Sequence, residues 1–296
     1  MKNYYSIDIG GTYTKIAYLD EDGQILQLKK IKTASPSADA FYDKVTAFLT
    51  HKAYGIGICA PGIFRHDGMI LSASSGNASL LYQTNPILEL QKRTGLAASL
   101  LNDAKACGLC EFYRGAAKGK KRAAVYVIGT GIGGCLIDEN GIHTGANGFS
   151  GEFSYMPIYH QGAIAQLGNE ASMTGLLRYY QSLGHPEVDD THIITRRYFQ
   201  KEADAQKAID HWLEAITMQL ITIHSVYDPQ IICIGGAISA QAWVIEALRE
   251  RYRQMTRSFI SPTLPDQTII TACAYQGEAN LIGAFLHMRK ESEETA

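Results

Sequence analysis

The chain has 296 residues, 46% of them hydrophobic and 19% charged, enough apolar material for two domains of ordinary size, each with its own core. A formal net charge of −2 lacks the basic footprint expected of a nucleic-acid binder. No run reaches the roughly 18 apolar residues of a membrane-spanning helix, and no basic start followed by an apolar segment marks a secretory signal.

The N-terminus reads as an apolar strand, Tyr4–Ile9, a Gly10-Gly11-Thr12 turn, and a second strand that ends in Asp20-Glu21-Asp22-Gly23. A third strand is expected over residues 24–31 and a helix over residues 39–51, with Phe41, Val45, Phe48 and Leu49 at helical spacing. A buried strand over residues 54–60 then runs into Pro61-Gly62. Residues 63–80 are loop-like, and Pro86–Thr94 is an amphipathic helix. The strand over residues 97–101 delivers Asn102 and Asp103 at its carboxyl end, where a helix over 104–114 begins. Ligands of open α/β sheets bind outside the carboxyl ends of strands, so Asp103 stands where chemistry can occur. Asn and Asp are also common helix N-caps, and the two roles are compatible.

Residues 123–141 form a second copy of the N-terminal pattern. An apolar strand leads into Gly129-Thr130-Gly131-Ile132-Gly133-Gly134, and a further strand ends in Asp138-Glu139-Asn140-Gly141. Glycine tolerates close backbone approach, and successive N–H groups in such a turn make a concavity suited to phosphate. One glycine-rich hairpin is weak evidence, whereas two about 120 residues apart point to two related lobes, each offering a phosphate-cradling turn.

A glycine-rich loop spans residues 144–157. Helices are expected over 169–182 and 204–227, the latter stopped by Asp228-Pro229. A strand over 230–234 ends in Gly235-Gly236, a helix follows over 240–257, then a strand over 267–274 and a C-terminal helix over 278–290. This divides the chain into an N-terminal lobe, 1–115, and a larger lobe, 116–277, with helix 278–290 packing back onto the first. The basic run at 118–122 reads as a solvated loop. Cys59, Cys107, Cys110, Cys135, Cys233 and Cys273 lie in apolar segments and read as small buried hydrophobes, the CxxC spacing of 107 and 110 included. The whole reads as a cytoplasmic α/β protein.

Asp8-Ile-Gly-Gly-Thr12 with Lys15, Leu101-Asn-Asp-Ala104, Ile128-Gly-Thr-Gly-Ile-Gly-Gly134, Gly151-Glu152 and Ile234-Gly-Gly236 together resemble the successive signatures of the ROK family of bacterial sugar kinases and sugar-responsive repressors, from about residue 4 to 287. The resemblance implies a two-lobed, actin-like (ribonuclease H-like) sugar-kinase fold in which ATP and sugar meet in the interlobe cleft. It assigns Asp103 as the general base, and Asn77, Asn102, Glu152 and Glu170 as sugar-hydroxyl ligands. Gly10, Gly11, Thr12, Thr130 and Gly131 would hold the ATP phosphates, with Gly235 and Gly236 along the adenosine. Asp8 would organise Mg²⁺, through water, and Lys15 is either a member of this group or a surface lysine on the hairpin.

Two departures from the family pattern stand out. The zinc-containing members place a His after Gly-Glu-x-Gly and then a cysteine cluster. Here Ser154 and Tyr155 take the Gly and His positions, no cysteine lies between Cys135 and Cys233, and only His160 is nearby, so no structural zinc is expected. The segment Gly151-Glu-Phe-Ser-Tyr-Met156 with Leu167-Gly-Asn-Glu170 instead looks like the zinc-less branch that includes β-glucoside kinases. Lys105 replaces the Asn that commonly follows Asn-Asp-Ala. The resemblance therefore implies phosphorylation of the 6-OH of glucose, a β-glucoside or a related hexose, with ATP and Mg²⁺, by a homodimer. The alternatives are an N-acetylmannosamine kinase and a non-catalytic sugar sensor of the same fold. A repressor would carry a helix-turn-helix before the first lobe, and this chain begins three residues before its first strand.

Overall fold

The structure is a computed structural model that describes residues 2–72, 76–160, 162–261, 263 and 268–294. It separates into two compact units, Met1–Tyr113 with Thr144–Ser150 and Gly277–Ala296, and Arg114–His143 with Gly151–Gln276.

In the first unit β1 (Tyr4–Ile9), β2 (Tyr13–Leu19), β3 (Ile25–Lys32), β4 (Gly55–Ala60) and β5 (Ala97–Asn102) form one sheet in the order β3-β2-β1-β4-β5. β1 runs antiparallel to β2 but parallel to β4, which is parallel to β5. Every residue of β1 and β4 is buried, as expected of strands covered on both faces. Alternation along β1 assigns its side chains. Tyr5, Ile7 and Ile9 pack with Phe41, Tyr42, Val45 and Leu90, from helices α1 (Ala38–Thr46) and α2 (Pro86–Thr94). Tyr4 packs instead with Leu281, Phe285 and Met288 of the C-terminal helix, Ala279–Glu294. Ser6 on that same face donates to the Leu281 carbonyl at 2.6 Å. A Cβ on Gly57 of β4 would strike the Ala284 carbonyl, so glycine there is what lets this helix lie close to the sheet. Helix α3 (Asp103–Tyr113) follows β5 directly.

The second unit repeats the strand plan. β6 (Arg122–Ile128), β7 (Ile132–Asp138), β8 (Gly141–Ile142), β11 (Ile231–Gly235) and β12 (Ile269–Ala272) pair in the order β12-β11-β6-β7-β8. Again one strand is antiparallel to its hairpin partner and parallel to the strand on its other side. A separate hairpin joins β9 (Pro157–His160) to β10 (Ala163–Gln166). The helices are α4 (Gly168–Ala171), α5 (Met173–Ser182), α6 (Thr191–Phe199), α7 (Ala203–Tyr227) and α8 (Ala242–Met255). Ala124, Tyr126 and Ile128 of β6 share a core with Trp212, Ile216 and Leu220 of α7 and with Val244 and Leu248 of α8. Asp228, with a φ of 49°, ends α7 in the left-handed conformation before Pro229.

Several elements differ from the sequence expectation for local reasons. α1 stops at Thr46 rather than running to 51, because Phe48 and Leu49 bond three residues back instead of four. The helix expected over 169–182 is broken at Ser172, whose extended backbone (ψ 165°) separates α4 from α5 and whose hydroxyl caps α5 by accepting from Gly175 N at 3.1 Å. Neither α6 nor the β9–β10 hairpin is among the elements expected from the sequence. Among the described residues no helix is long and apolar enough to cross a membrane.

Candidate functional site

In the first unit the parallel register aligns Asp8 with Cys59, Cys59 with Leu101 and Ala60 with Asn102. Asp8 and the Asn102-Asp103 pair therefore emerge at the same, carboxyl, end of the sheet. The Cys59 thiol lies 3.5 Å from Asp8 Oδ1. Burial pushes that thiol well above its ordinary range, and the negative charges of Asp8 and Asp103 push it further. Cys59 is thus a buried packing thiol that resists ionisation.

Asp8 faces the C-terminal helix, as its even position on β1 requires, and Asn280 Nδ2 donates to its Oδ1 at 3.2 Å. Lys15, its partner across the β1–β2 pair, lies 3.3 Å from Oδ2 and donates to the Gly277 carbonyl at 2.8 Å. Lys15 is consequently tied to Asp8 and to the segment entering the C-terminal helix; it is not an isolated surface lysine. The turn between the strands is tight, with Gly10 N donating to the Tyr13 carbonyl at 3.1 Å and the Thr33 hydroxyl donating to the Gly10 carbonyl at 2.7 Å. Thr12 is exposed at its rim. Asn77 lies in the 3₁₀ turn Gly76–Leu81 and is brought to this turn by its own backbone, which donates to the Gly11 carbonyl at 2.9 Å.

Asn102 is buried and heavily committed. Its Oδ1 accepts from Ala104 N at 2.9 Å and Lys105 N at 3.2 Å, capping α3, while Nδ2 donates to the Gly62 carbonyl at 3.0 Å. One Nδ2 hydrogen is the most it can offer a ligand. Asp103, half-buried, is the first residue of α3, and its Oδ1 accepts from Ala104 N at 2.8 Å. The positive end of the helix favours a carboxylate there. Lys105 is buried on the same first turn.

In the second unit the β6–β7 tip is closed by Gly129 N donating to the Gly131 carbonyl at 2.9 Å, and the first residue of α5 fastens it, Met173 N donating to the Gly129 carbonyl at 3.0 Å. Thr130 and Gly131 are exposed at this tip, and a Cβ on Gly131 would meet nothing within 4 Å. Gly235 pairs with Val127 on the parallel neighbour, which puts Gly235 and Gly236 at the same sheet end as Thr130 and Gly131. Gly236 has a φ of 88°, and a Cβ there would collide with the Ile128 carbonyl. Both its conformation and its space demand glycine.

Glu152 directly precedes the short 3₁₀ turn Phe153–Tyr155, which is anchored by Phe153 stacking on Tyr126, their ring centroids 5.9 Å apart. Glu170 projects from α4. Its Oε2 accepts from His211 Nε2 of α7 at 3.1 Å, and the His211 ring stacks on Tyr179 at 4.1 Å. His211 is not legible in the sequence, being a polar residue on a long helix with no motif around it.

Tyr155, at the position of the His of the zinc-containing pattern, is exposed, and Ser154 before it is half-buried; the side chain of the nearby His160 lies outside the described residues. One potential metal-ligand cluster occurs among the described residues, His185, Glu202 and Asp204, elsewhere in the unit. Its members already bond one another: His185 Nε2 lies 3.0 Å from Asp204 Oδ2, and Arg197 brings a cation to 3.5 Å from His185 Nδ1. Asp8 and Asp103, by contrast, are hard oxygen donors of the kind Mg²⁺ accepts.

Two sheets of identical strand order, each with helices on it and a glycine turn at its first hairpin, define the actin-like ATPase fold. The chain belongs to the ROK family, whose model matches residues 4–291. It is 28% identical to a β-glucoside kinase of Klebsiella pneumoniae over 295 residues, covering 96% of this chain and 95% of that protein. It is 25% identical to a glucokinase of Halalkalibacterium halodurans, covering 95% and 93% respectively. Among solved structures, a ROK family protein of Streptococcus pneumoniae in complex with sucrose superposes with a TM-score of 0.85 at 26% identity, covering 99% of both chains.

Proposed function

We propose that this protein is an ATP-dependent carbohydrate kinase that phosphorylates a sugar hydroxyl, the 6-OH of glucose, a β-glucoside or a related hexose. The observation that carries the reading is the placement of Asp103, at the head of α3 and the carboxyl end of β5, the same sheet end at which Asp8 leaves β1. Membership of a family that contains sugar kinases supports it.

In this reading Asp103 accepts the proton of the attacking hydroxyl as the new O–P bond forms and the bond from the γ-phosphorus to its bridging oxygen breaks, releasing ADP. Phosphoryl transfer asks the protein mainly for positioning and charge stabilisation. Asn77, Glu152 and Glu170 take sugar hydroxyls, and Asn102 contributes its remaining Nδ2 hydrogen while fixing the first turn of α3. The turn at Gly10-Gly11-Thr12, exposed at Thr12, and the exposed tip at Thr130-Gly131 supply to phosphate the backbone donors not used within the turns, and Gly235-Gly236 lies along the adenosine. Mg²⁺ held through water near Asp8 would neutralise phosphate charge, and Lys15 fixes that carboxylate.

The test is a coupled ADP-release assay with glucose, mannose, fructose, N-acetylglucosamine, N-acetylmannosamine, cellobiose and gentiobiose, run beside D103N. Sugar-dependent ADP release that drops by about 10²–10⁴-fold in the variant is the expected outcome, the usual contribution of a positioned base. A preference for N-acetylmannosamine would replace the substrate class. Silence on every sugar, with sugar binding retained, would sink the kinase reading in favour of a sensor. Light scattering in solution checks the homodimer that the family resemblance implies.

A further inference from the structure

Glu170 sits on a helix of only four residues, too short to hold its own orientation by internal hydrogen bonds. Two successive residues of the 25-residue helix α7 hold it instead. Trp212, buried, donates its indole N–H to the Ala171 carbonyl at 2.8 Å, fixing the backbone of the turn. His211 bonds Glu170 Oε2 at 3.1 Å, fixing the side chain. A carboxylate only accepts, so His211 Nε2 carries the proton in this pair. The imidazole is itself fixed by Tyr179 of α5, nearly parallel to it at 14° and 4.1 Å between centroids.

We propose that His211 is a positioning residue for the sugar site: by holding Oε2 of Glu170 it aims the carboxylate at a substrate hydroxyl. The inference rests on the reading of Glu170 as a sugar ligand. A ligand that must meet a hydroxyl within hydrogen-bonding tolerance loses affinity when its carboxylate can rotate, and a pinned carboxylate avoids that ordering cost on binding. Because Glu170 binds the sugar before and during transfer alike, the loss belongs in the acceptor KM more than in kcat.

Two substitutions separate the donor from the ring. H211F keeps a flat ring for Tyr179 and removes the N–H; H211Q removes the ring and returns an amide donor near the position of Nε2. E170A tests the parent reading. Kinetics use the best acceptor of the sugar panel above, with ATP varied separately and the melting temperature of each variant recorded. H211F should raise the acceptor KM about tenfold, change kcat by less than about threefold and leave the ATP KM unmoved, as loss of a hydrogen bond to a charged group predicts. H211Q should recover most of that affinity.

A raised acceptor KM in E170A with no change in H211F would overturn the role of His211 and leave the kinase reading standing. An H211Q variant as impaired as H211F, or more so, would show that the ring packing matters and not the donor, and would equally overturn it. No effect of E170A would remove Glu170 from the sugar site and the inference with it.

Discussion

At the scale of single residues, the site region is built from side chains that do two jobs. Asn102 shows the consequence most plainly. Its amide caps α3 and bonds the Gly62 carbonyl, so it stabilises the helix that begins with Asp103. N102A should therefore lose about 1–2 kcal/mol of stability, the ordinary cost of removing a cap, in addition to any loss of activity. Urea denaturation measures the first and kinetics the second; an undiminished unfolding free energy would contradict the capping role. The motif Asn102-Asp103 was legible in the sequence, including the compatibility of cap and chemistry. The link from Lys15 to Gly277 was not, because it joins positions 262 residues apart and depends on where the C-terminal helix lands. Glu170 was legible as part of a motif, but its partner His211 lies on another element and carries no local signal.

At the scale of elements, glycine, caps and strand alternation explain where the turns sit. Gly236 ends β11 at a positive φ against the Ile128 carbonyl. G236A should destabilise the protein by roughly 1–3 kcal/mol through backbone strain and the clash. It should also raise the KM for ATP, if Gly235-Gly236 lies along the adenosine, while leaving the acceptor KM less affected. A melting curve with initial-rate kinetics tests both parts, and an unchanged melting temperature would refute the strain argument. Ser172 offers a companion test: S172A removes the cap of α5 and should cost about 1 kcal/mol. Sequence periodicity located Pro86–Thr94 and nearly all of α7, where an N1 proline and a terminal Asp-Pro punctuate strong patterns. It extends α1 too far and merges α4 with α5, because a change of hydrogen-bonding partner at Phe48 and Leu49 or a single extended residue at Ser172 leaves the apolar spacing almost intact.

For the molecule as a whole, buried groups that resist ionisation set the response to pH. Burial raises the pKa of the Cys59 thiol and of the Tyr126 and Tyr42 phenols, so that they resist ionisation. An acid whose folded pKa is raised binds its proton more tightly in the native state, so this stabilisation is fully present below the unfolded pKa and is lost as pH rises above it. Thermal stability should accordingly fall as pH climbs past about 8.5, where unfolded thiols ionise, and more steeply past about 10, where unfolded phenols do. Melting temperatures from pH 7 to 10.5 check this, and a rising trend would contradict it. The native thiols should also react slowly with a water-soluble disulfide reagent, since all six cysteines are buried. The amino-acid sequence determined the duplicated strand–glycine–strand plan, the family motifs and the position of Asp103, because these are local patterns of residue type and spacing. Only the tertiary structure decided that Asp8 and Asp103 share one sheet end, that Lys15 and Asn280 hold Asp8, and that α7 reaches the turn carrying Glu170. Those outcomes depend on strand order, register and helix placement, which are set by packing between segments distant in the chain.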